Sequence, residues 1–284
     1  MTQTVLILGP SGKIGHHAAL AFAAAGWTVR RYTRGTDMTE AAQGVDVIVN
    51  GMNPPTYHNW AGIIPQITAQ VIAAAQASGA TVILPGNIYN YGDQPGTLDE
   101  TTPHLAHTRK GRVRIEMEAA YRASGVQTIV LRAGNFIAPE GNGDSFSYIL
   151  KDLGKGKMMG FGDPGARQAY AFVPDWARAA VALAEIRETL PGFADIPFAG
   201  HTFTLHELQA ELGRTTGKTP RLTRLPWWLM RLASPVWELA RELREMRYLY
   251  DMDHRISGAT FDRILPGFEP TPLPEVIRQR LARP

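Results

Sequence analysis

The chain has 284 residues, no cysteine, and 29 basic against 26 acidic residues for a net charge of +3. Disulfides, thiolate chemistry, Cys-based zinc sites and iron–sulfur clusters are excluded, a 44% hydrophobic and 19% charged composition excludes a disordered chain, and so even a charge balance argues for no nucleic-acid partner. No apolar run reaches the roughly 18 residues of a bilayer span, and the N-terminus enters a strand pattern without the basic and apolar regions of a signal peptide, so a cytoplasmic location and no membrane are expected. In chain order the sequence predicts a strand at Thr4–Leu8, an Ala-rich helix at Ile14–Ala25 closed by Gly26, and a strand at Thr28–Thr33. Strands at Asp46–Asn50 and Thr81–Leu84 flank a helix from Ala61 to Ala77, and a helix at Arg112–Ala123 precedes a strand at Gln127–Leu131. Short apolar strands separated by helices predict an α/β fold, a Rossmann-type doubly wound parallel sheet with right-handed crossovers. The second half reads as a helix at Asp175–Glu188, a break at Pro191–Pro197, a helix at Leu205–Thr215, a long helix from Trp227 to Tyr250 kinked at Pro235, and a terminal helix at Leu273–Leu281. The expected division is a dinucleotide-binding domain over 1–150, with 166–190 packed back on it, and a substrate-covering region over 151–284.

The strongest local signal is Gly9-Pro-Ser-Gly12-Lys-Ile-Gly15, directly after a strand and opening a helix. Gly9 permits the tight turn, Gly12 lets backbone approach a pyrophosphate, and Gly15 allows close helix packing. The free amides and dipole of the helix start then favour a diphosphate, with Ser11, Lys13 and Ile14 in the same loop.

The end of the second strand chooses between the two nicotinamide dinucleotides. An acid there would bond the ribose 2′-hydroxyl. The sequence has Thr33 at that place, followed by Arg34, and a guanidinium grips a 2′-phosphate where a carboxylate repels it. The expected cofactor is therefore NADP rather than NAD, with Arg34 as the main ligand and Ser11, Lys13 and Arg31 as helpers. Arg30 and Arg31 point to opposite faces if the strand alternates.

The motifs together resemble the short-chain dehydrogenase/reductase superfamily, in its extended and atypical branch of the epimerase/dehydratase type. The resemblance covers nearly the whole chain: Gly9-x-x-Gly12-x-x-Gly15, Val47-Ile-Val-Asn50-Gly51, Asn87-Ile-Tyr89-Asn-Tyr91-Gly92, Leu131-Arg-Ala133-Gly-Asn135-Phe136, Phe172-Val-Pro-Asp175-Trp-Ala177 and Pro270-Thr-Pro-Leu273 follow one another in the family's order. It implies cofactor contacts from Asn50, Gly51, Met52, Pro85, Asn87, Lys110, Ala133, Asn135 and Phe136. The family's catalytic Tyr-x-x-x-Lys pair is incomplete: Lys110 holds the lysine place, Ala106 stands four residues earlier, and Pro85-Gly-Asn87-Ile88 lacks the family's hydroxyl. The run from Lys110 to Glu118 also resembles the isoflavone-reductase-like enzymes and the NmrA-type regulators, and in those reductases a lone lysine is assigned the catalytic work.

A carbonyl that becomes an alcohol needs a proton. Lys110, partly desolvated, is the first candidate. Tyr89 and Tyr91 are alternative donors, of which only one faces inward in an extended segment. Substrate contacts are expected from Asn53, Tyr57, Asn87, Asn142, Tyr148 and Phe161, since ligands sit at the carboxyl ends of the strands. The eight histidines form no metal site by spacing, and His104 and His107 read as loop residues. The Arg-rich stretch with Trp227, Trp228, Trp237, Tyr248 and Tyr250 is compatible with a membrane-surface helix, but Glu238, Glu242 and Glu245 intersperse its basic face in charge pairs, so core or homodimer packing is the favoured expectation. The leading expectation is an NADP(H)-dependent oxidoreductase acting on a small carbonyl, alcohol or activated alkene. A sugar-nucleotide epimerase or dehydratase is the first alternative, and a non-catalytic NADP(H)-binding sensor the second.

Overall fold

The computed structural model describes residues 2–141 and 143–282. Its first half runs β1 (Thr4–Leu8), α1 (Lys13–Ala24), β2 (Thr28–Arg31), α2 (Met38–Ala41), β3 (Val47–Asn50), α3 (Trp60–Ser78), β4 (Thr81–Gly86), β5 (Gly96–Leu98), α4 (Arg109–Ala123) and β6 (Thr128–Arg132). Next come β7 (Asn135–Ile137), α5 (Ser145–Leu150), β8 (Lys157–Gly160), β9 (Gln168–Phe172), α6 (Val173–Glu185), β10 (Phe193–Pro197), β11 (His201–Phe203), α7 (Leu205–Thr216) and β12 (Arg221–Arg224). The chain closes with α8 (Trp227–Ala233), α9 (Glu238–Glu245), α10 (Tyr248–Asp251), β13 (His254–Ile256), α11 (Ala259–Ile264) and α12 (Leu273–Leu281).

Six strands form one parallel sheet in the order β10-β6-β4-β3-β1-β2. The strands are apolar on both faces because helices cover both. Val5, Ile7, Val47, Val49, Ile129 and Leu131 point to one side, against Phe22 of α1 and Trp176 of α6. Leu6, Leu8, Ile48, Val82, Leu84 and Val130 point to the other, against Val71 of α3 and Tyr121 of α4. This period-two split is the expected doubly wound architecture. A third cluster gathers α5, α7 and α12 around Phe146, Phe203 and Leu208 beside the sheet.

Two expectations for the second half are corrected. The break at 191–197 contains β10, which pairs with β6 from Phe193↔Thr128 to Pro197↔Arg132 and forms an edge of the main sheet. Its closing proline is tolerated there, where no outer neighbour needs the missing amide. The single helix expected over 227–250 is three short helices, because Pro235 ends α8 before α9 begins at Glu238.

The order in which strands are added to the sheet reverses at β1. The path to β2 leaves on one side and the path to β3 and β4 on the other, so a crevice opens at the carboxyl ends of β1 and β3.

Candidate active site

One wall of that crevice is made of backbone. The chain leaves β1 through Gly9 at φ +70°, a left-handed value. A Cβ on Gly9 would lie 3.0 Å from the Gly51 carbonyl oxygen at the end of β3. A Cβ on Gly15 would lie 2.2 Å from the Gly9 oxygen, so the first turn of α1 lies directly on the loop. The Gly12 amide donates to Gly9 O at 2.9 Å and closes the turn. Gly12 caps α1 without a side-chain bond, and the first turn holds no acid. The leading amides thus carry the positive end of the helix dipole with no acid in their own turn, which fits the diphosphate of a dinucleotide. Ser11 is exposed beside them, while Ile14 packs partly into the core.

Lys13 is committed elsewhere. Its Nζ donates to Asp144 at 2.9 Å, and Asp144 also caps α5 by accepting from the Ser147 amide. The ammonium therefore clasps the loop to α5 rather than reaching toward the end of β2. Among the arginines there, Arg30 donates to the Gln43 carbonyl. Arg31 and Arg34 are exposed, and Arg34 stands in the turn just past β2.

The crevice floor gathers several residues that the motifs single out. Buried Asn50 donates to the Tyr121 hydroxyl at 3.2 Å and accepts from the Met52 amide, which fixes the turn through Gly51. Pro85 lies near the end of β4 and Asn87 just beyond it, and Asn87 Oδ1 accepts from the Tyr89 amide. Ala133 is buried, with its amide on the Gly86 carbonyl, while Asn135 and Phe136 open β7. Phe136 meets Trp176 edge-on at 6.3 Å.

The other wall is made of charged and phenolic side chains. Lys110 lies in the first turn of α4, which Thr108 caps by accepting from the Gly111 amide. The lysine is buried, and α9 covers it: Nζ donates to Glu245 Oε2 at 2.8 Å and to the Glu242 carbonyl at 3.2 Å, and pairs closely with the Glu242 carboxylate. The Lys110 amide also donates to Glu245. Burial would raise the Glu245 carboxyl, but the bonds from Lys110 outweigh it and hold the group below its ordinary value. The ammonium stands 5.0 Å from the centre of the Tyr57 ring. Glu242 and Glu245 are thus not the surface partners expected along the basic face of 227–250. No spacing rule distinguishes them from Glu238, which stays outside and bonds exposed His58.

Tyr57 and Tyr89 meet hydroxyl to hydroxyl at 3.2 Å. Tyr57 and Asn59 hold φ of +63° and +43°, conformations that cost a bulky side chain about 1–3 kcal/mol and gather at functional sites. The Tyr57 hydroxyl is raised well above its ordinary value, chiefly by Tyr89 and then by burial, and burial raises that of Tyr89. Both are therefore protonated at neutral pH and are donors rather than bases. Tyr91 is corrected: residues 89–91 form a tight helical turn instead of an extended segment, and the buried Tyr91 hydroxyl donates to the Asp99 carbonyl at 2.9 Å.

Behind this wall lies a buried ion cluster. Arg132, at the end of β6, is fully buried, donating to both oxygens of Glu118 on α4 and of Asp195 on β10, and to the Asn87 carbonyl at 2.7 Å. Burial alone would lower Arg132, but the two carboxylates hold it above its ordinary value. His104 joins Glu118 and Asp195, with ligand atoms within 4.8 Å of one another, a grouping the histidine spacing conceals. The guanidinium already supplies the positive charge between those carboxylates. An arginine ending the apolar strand Thr128–Arg132 was the available signal, since such a buried cation requires acids; the partner Asp195 sat in the segment expected to be a break.

The expected substrate residues divide. Asn87 and Tyr57 lie in the site. Asn53 is exposed, with its Oδ1 accepting from Arg114 at 2.9 Å and its Nδ2 donating to the Pro54 carbonyl. Phe161 is buried against Tyr250 at 5.0 Å and belongs to the third cluster's packing, which removes it from the substrate contacts. Tyr148 is exposed on α5. Asn142 lies outside the described residues.

No protein-family model and no curated protein matches the chain. Solved structures do match it. MoeE5 in complex with UDP-glucose and NAD superposes with a TM-score of 0.79 at 15% identity, over 99% of this chain and 98% of that one. The fold is that of the nucleotide-sugar epimerases. UDP-glucuronic acid 4-epimerase from Bacillus cereus, with UDP-glucuronic acid and NAD, gives 0.78 at 14% identity over 99% and 98% of the two chains. UDP-glucose-4-epimerase from Stenotrophomonas maltophila, with NAD and formylated UDP-arabinopyranose, gives 0.75 at 17% identity over 100% and 98%. The likeness spans the sheet and the C-terminal region alike, and it agrees with the extended short-chain dehydrogenase/reductase resemblance of the motifs.

Proposed function

We propose that the chain is a nicotinamide-dinucleotide-dependent enzyme of the epimerase/dehydratase type, acting on the sugar of a nucleotide sugar. The observation that carries this reading is the likeness over both halves to proteins solved with NAD and a UDP-sugar, together with a glycine turn and helix start free of acids at the switch of the sheet. This reading displaces a small carbonyl compound as the leading substrate class.

The diphosphate would lie on the amides around Gly12 to Gly15. Asn50, Gly51 and Met52 would pass beneath the dinucleotide, and Pro85, Asn87, Ala133, Asn135 and Phe136 would stand toward its nicotinamide end. When bound, the nicotinamide accepts and returns a hydride. Lys110 is held in place at the side of the cleft by Glu242 and Glu245. The proton that the sugar hydroxyl loses as its carbon gives up the hydride would pass to solvent, and the Tyr57–Tyr89 pair would hydrogen-bond the resulting carbonyl oxygen and donate a proton to it when the hydride returns, in place of the family's missing tyrosine.

A second reading, NADP(H)-dependent reduction of a carbonyl, is favoured by two observations. The tyrosine pair stays protonated, which suits the donation that reduction needs. The exposed Arg34 replaces the acid that would select the unphosphorylated ribose.

The test is to incubate the protein with NAD+ or NADP+ and UDP-glucose or UDP-glucuronic acid, and to follow the sugars by proton NMR. A new sugar signal at catalytic amounts of cofactor supports the epimerase/dehydratase reading. Consumption of NADPH by simple aldehydes and ketones, with the nucleotide sugars unchanged, supports the second reading against it. Tight dinucleotide binding with neither reaction supports a sensor.

A further inference from the structure

Exposed apolar side chains on a folded protein are ordinarily scattered, and a contiguous group of them marks a contact surface. Here they are concentrated. Of the eight large hydrophobic residues exposed among the described residues, five fall within ten positions: Trp228, Leu229, Leu232, Val236 and Trp237. Leu232 is 70% exposed and Val236 91%, although both lie next to the Pro235 break, where the chain has every chance to turn them inward. Residues 228–237 do not fill the core expected for this stretch, although Tyr248 and Tyr250 beyond them do pack inward. Trp227 alone of the first two tryptophans packs inward, against the third cluster.

The charge around this patch is one-sided. Residues 214–247 hold eight arginines and lysines against three glutamates, while the rest of the chain is slightly acidic. Glu242 and Glu245 pair with Lys110, Glu238 lies between His58 and Arg241, and the adjoining Glu211 and Asp251 pair with Arg214 and Arg247. Arg241 and Arg247 are exposed but paired with acids, while Arg221, Arg224, Arg231 and Arg244 are exposed and in no ion pair among the described residues.

These observations distinguish between occupants. A symmetric pair of chains would set the same cationic patch against itself, and like charges across an interface cost several kcal/mol. An anionic bilayer supplies what both features need: an apolar layer for Trp228, Leu232 and Val236, and a negative surface for the arginines, each worth about 1 kcal/mol near such a surface. We propose that the face formed by residues 228–237, with the arginines flanking it, seats the protein on the surface of an anionic phospholipid membrane. No helix among the described residues is long and apolar enough to cross one, so the contact is peripheral.

The experiment is co-sedimentation of the full chain with vesicles of equal parts phosphatidylcholine and phosphatidylglycerol, and with vesicles of phosphatidylcholine alone, at low and high salt. The expected result is binding to the anionic vesicles, little to the neutral ones, and release by salt. Trp228→Ser with Leu232→Ser weakens binding at least about tenfold while the melting temperature holds, since both side chains are already exposed. Arg221→Gln with Arg224→Gln weakens it in low salt only. Failure of the wild-type chain to bind anionic vesicles at low salt overturns the proposal. So does a dimer in sedimentation velocity that the Trp228→Ser/Leu232→Ser protein lacks, which assigns the face to a second copy.

Discussion

The two walls of the cleft are built from different materials. The diphosphate wall is glycine backbone: Gly9, Gly12, Gly15 and Gly51 touch without side chains, and the helix start needs none to present its amides. The opposite wall is side chain throughout, with Lys110 between Glu242 and Glu245, two phenols in contact, and Arg132 between Glu118 and Asp195. A backbone wall fails by steric intrusion, and a charged wall fails by losing one partner of a pair. Substitutions on the two sides therefore leave different signatures.

The largest effect is expected on the charged side. Arg132→Met leaves Glu118 and Asp195 buried without their cation and should cost about 3–5 kcal/mol of stability in urea unfolding, because the uncompensated charges remain. Unchanged unfolding would mean that the cluster carries no structural charge balance. Next comes the backbone side. Gly15→Ala forces a methyl onto the Gly9 carbonyl and should cost about 1–3 kcal/mol of stability. Dinucleotide affinity, read by quenching of intrinsic fluorescence, should drop with it, whereas Arg132→Met scaled for its stability loss should leave affinity closer to normal.

A smaller effect comes from pH. The Glu245 carboxyl is held below its ordinary value of 4.5 when folded, so the stability it adds is present above that value and is lost as pH falls through the lower folded value. Acid melts of wild type should steepen below the ordinary carboxylate range, and Glu245→Gln should flatten that part of the curve. Equal slopes would show that the contact with Lys110 contributes nothing. The smallest is Arg34→Ala, expected to weaken NADP+ binding about tenfold, as one charge-assisted contact is lost, with NAD+ binding unchanged. A parallel loss for both dinucleotides would remove Arg34 from the 2′-phosphate.

Much of this was legible from residue order alone. Short continuous apolar runs rich in β-branched residues, such as Val5 to Leu8 and Val47 to Val49, fit strands covered on both faces, and glycines at three-residue spacing after such a run define the amide cradle. What local pattern conveys poorly is pairing across the chain. Glu242 and Glu245 are 132 and 135 residues from Lys110, and along their own helix they look like any solvated acids. Tyr89 and Tyr91 were inseparable until a helical turn sent one toward Tyr57 and the other to Asp99. β10 was hidden by its flanking prolines, and with it went the partner of Arg132.

The central claim is that the first turn of α1 holds the diphosphate of a nicotinamide dinucleotide. A crystal structure determined after soaking with NADP+ tests it most directly. The diphosphate should lie within hydrogen-bond distance of the amides between Gly12 and Gly15, with the nicotinamide end toward Asn87 and Lys110. Dinucleotide bound anywhere else, with those amides turned to water or to another part of the chain, contradicts it.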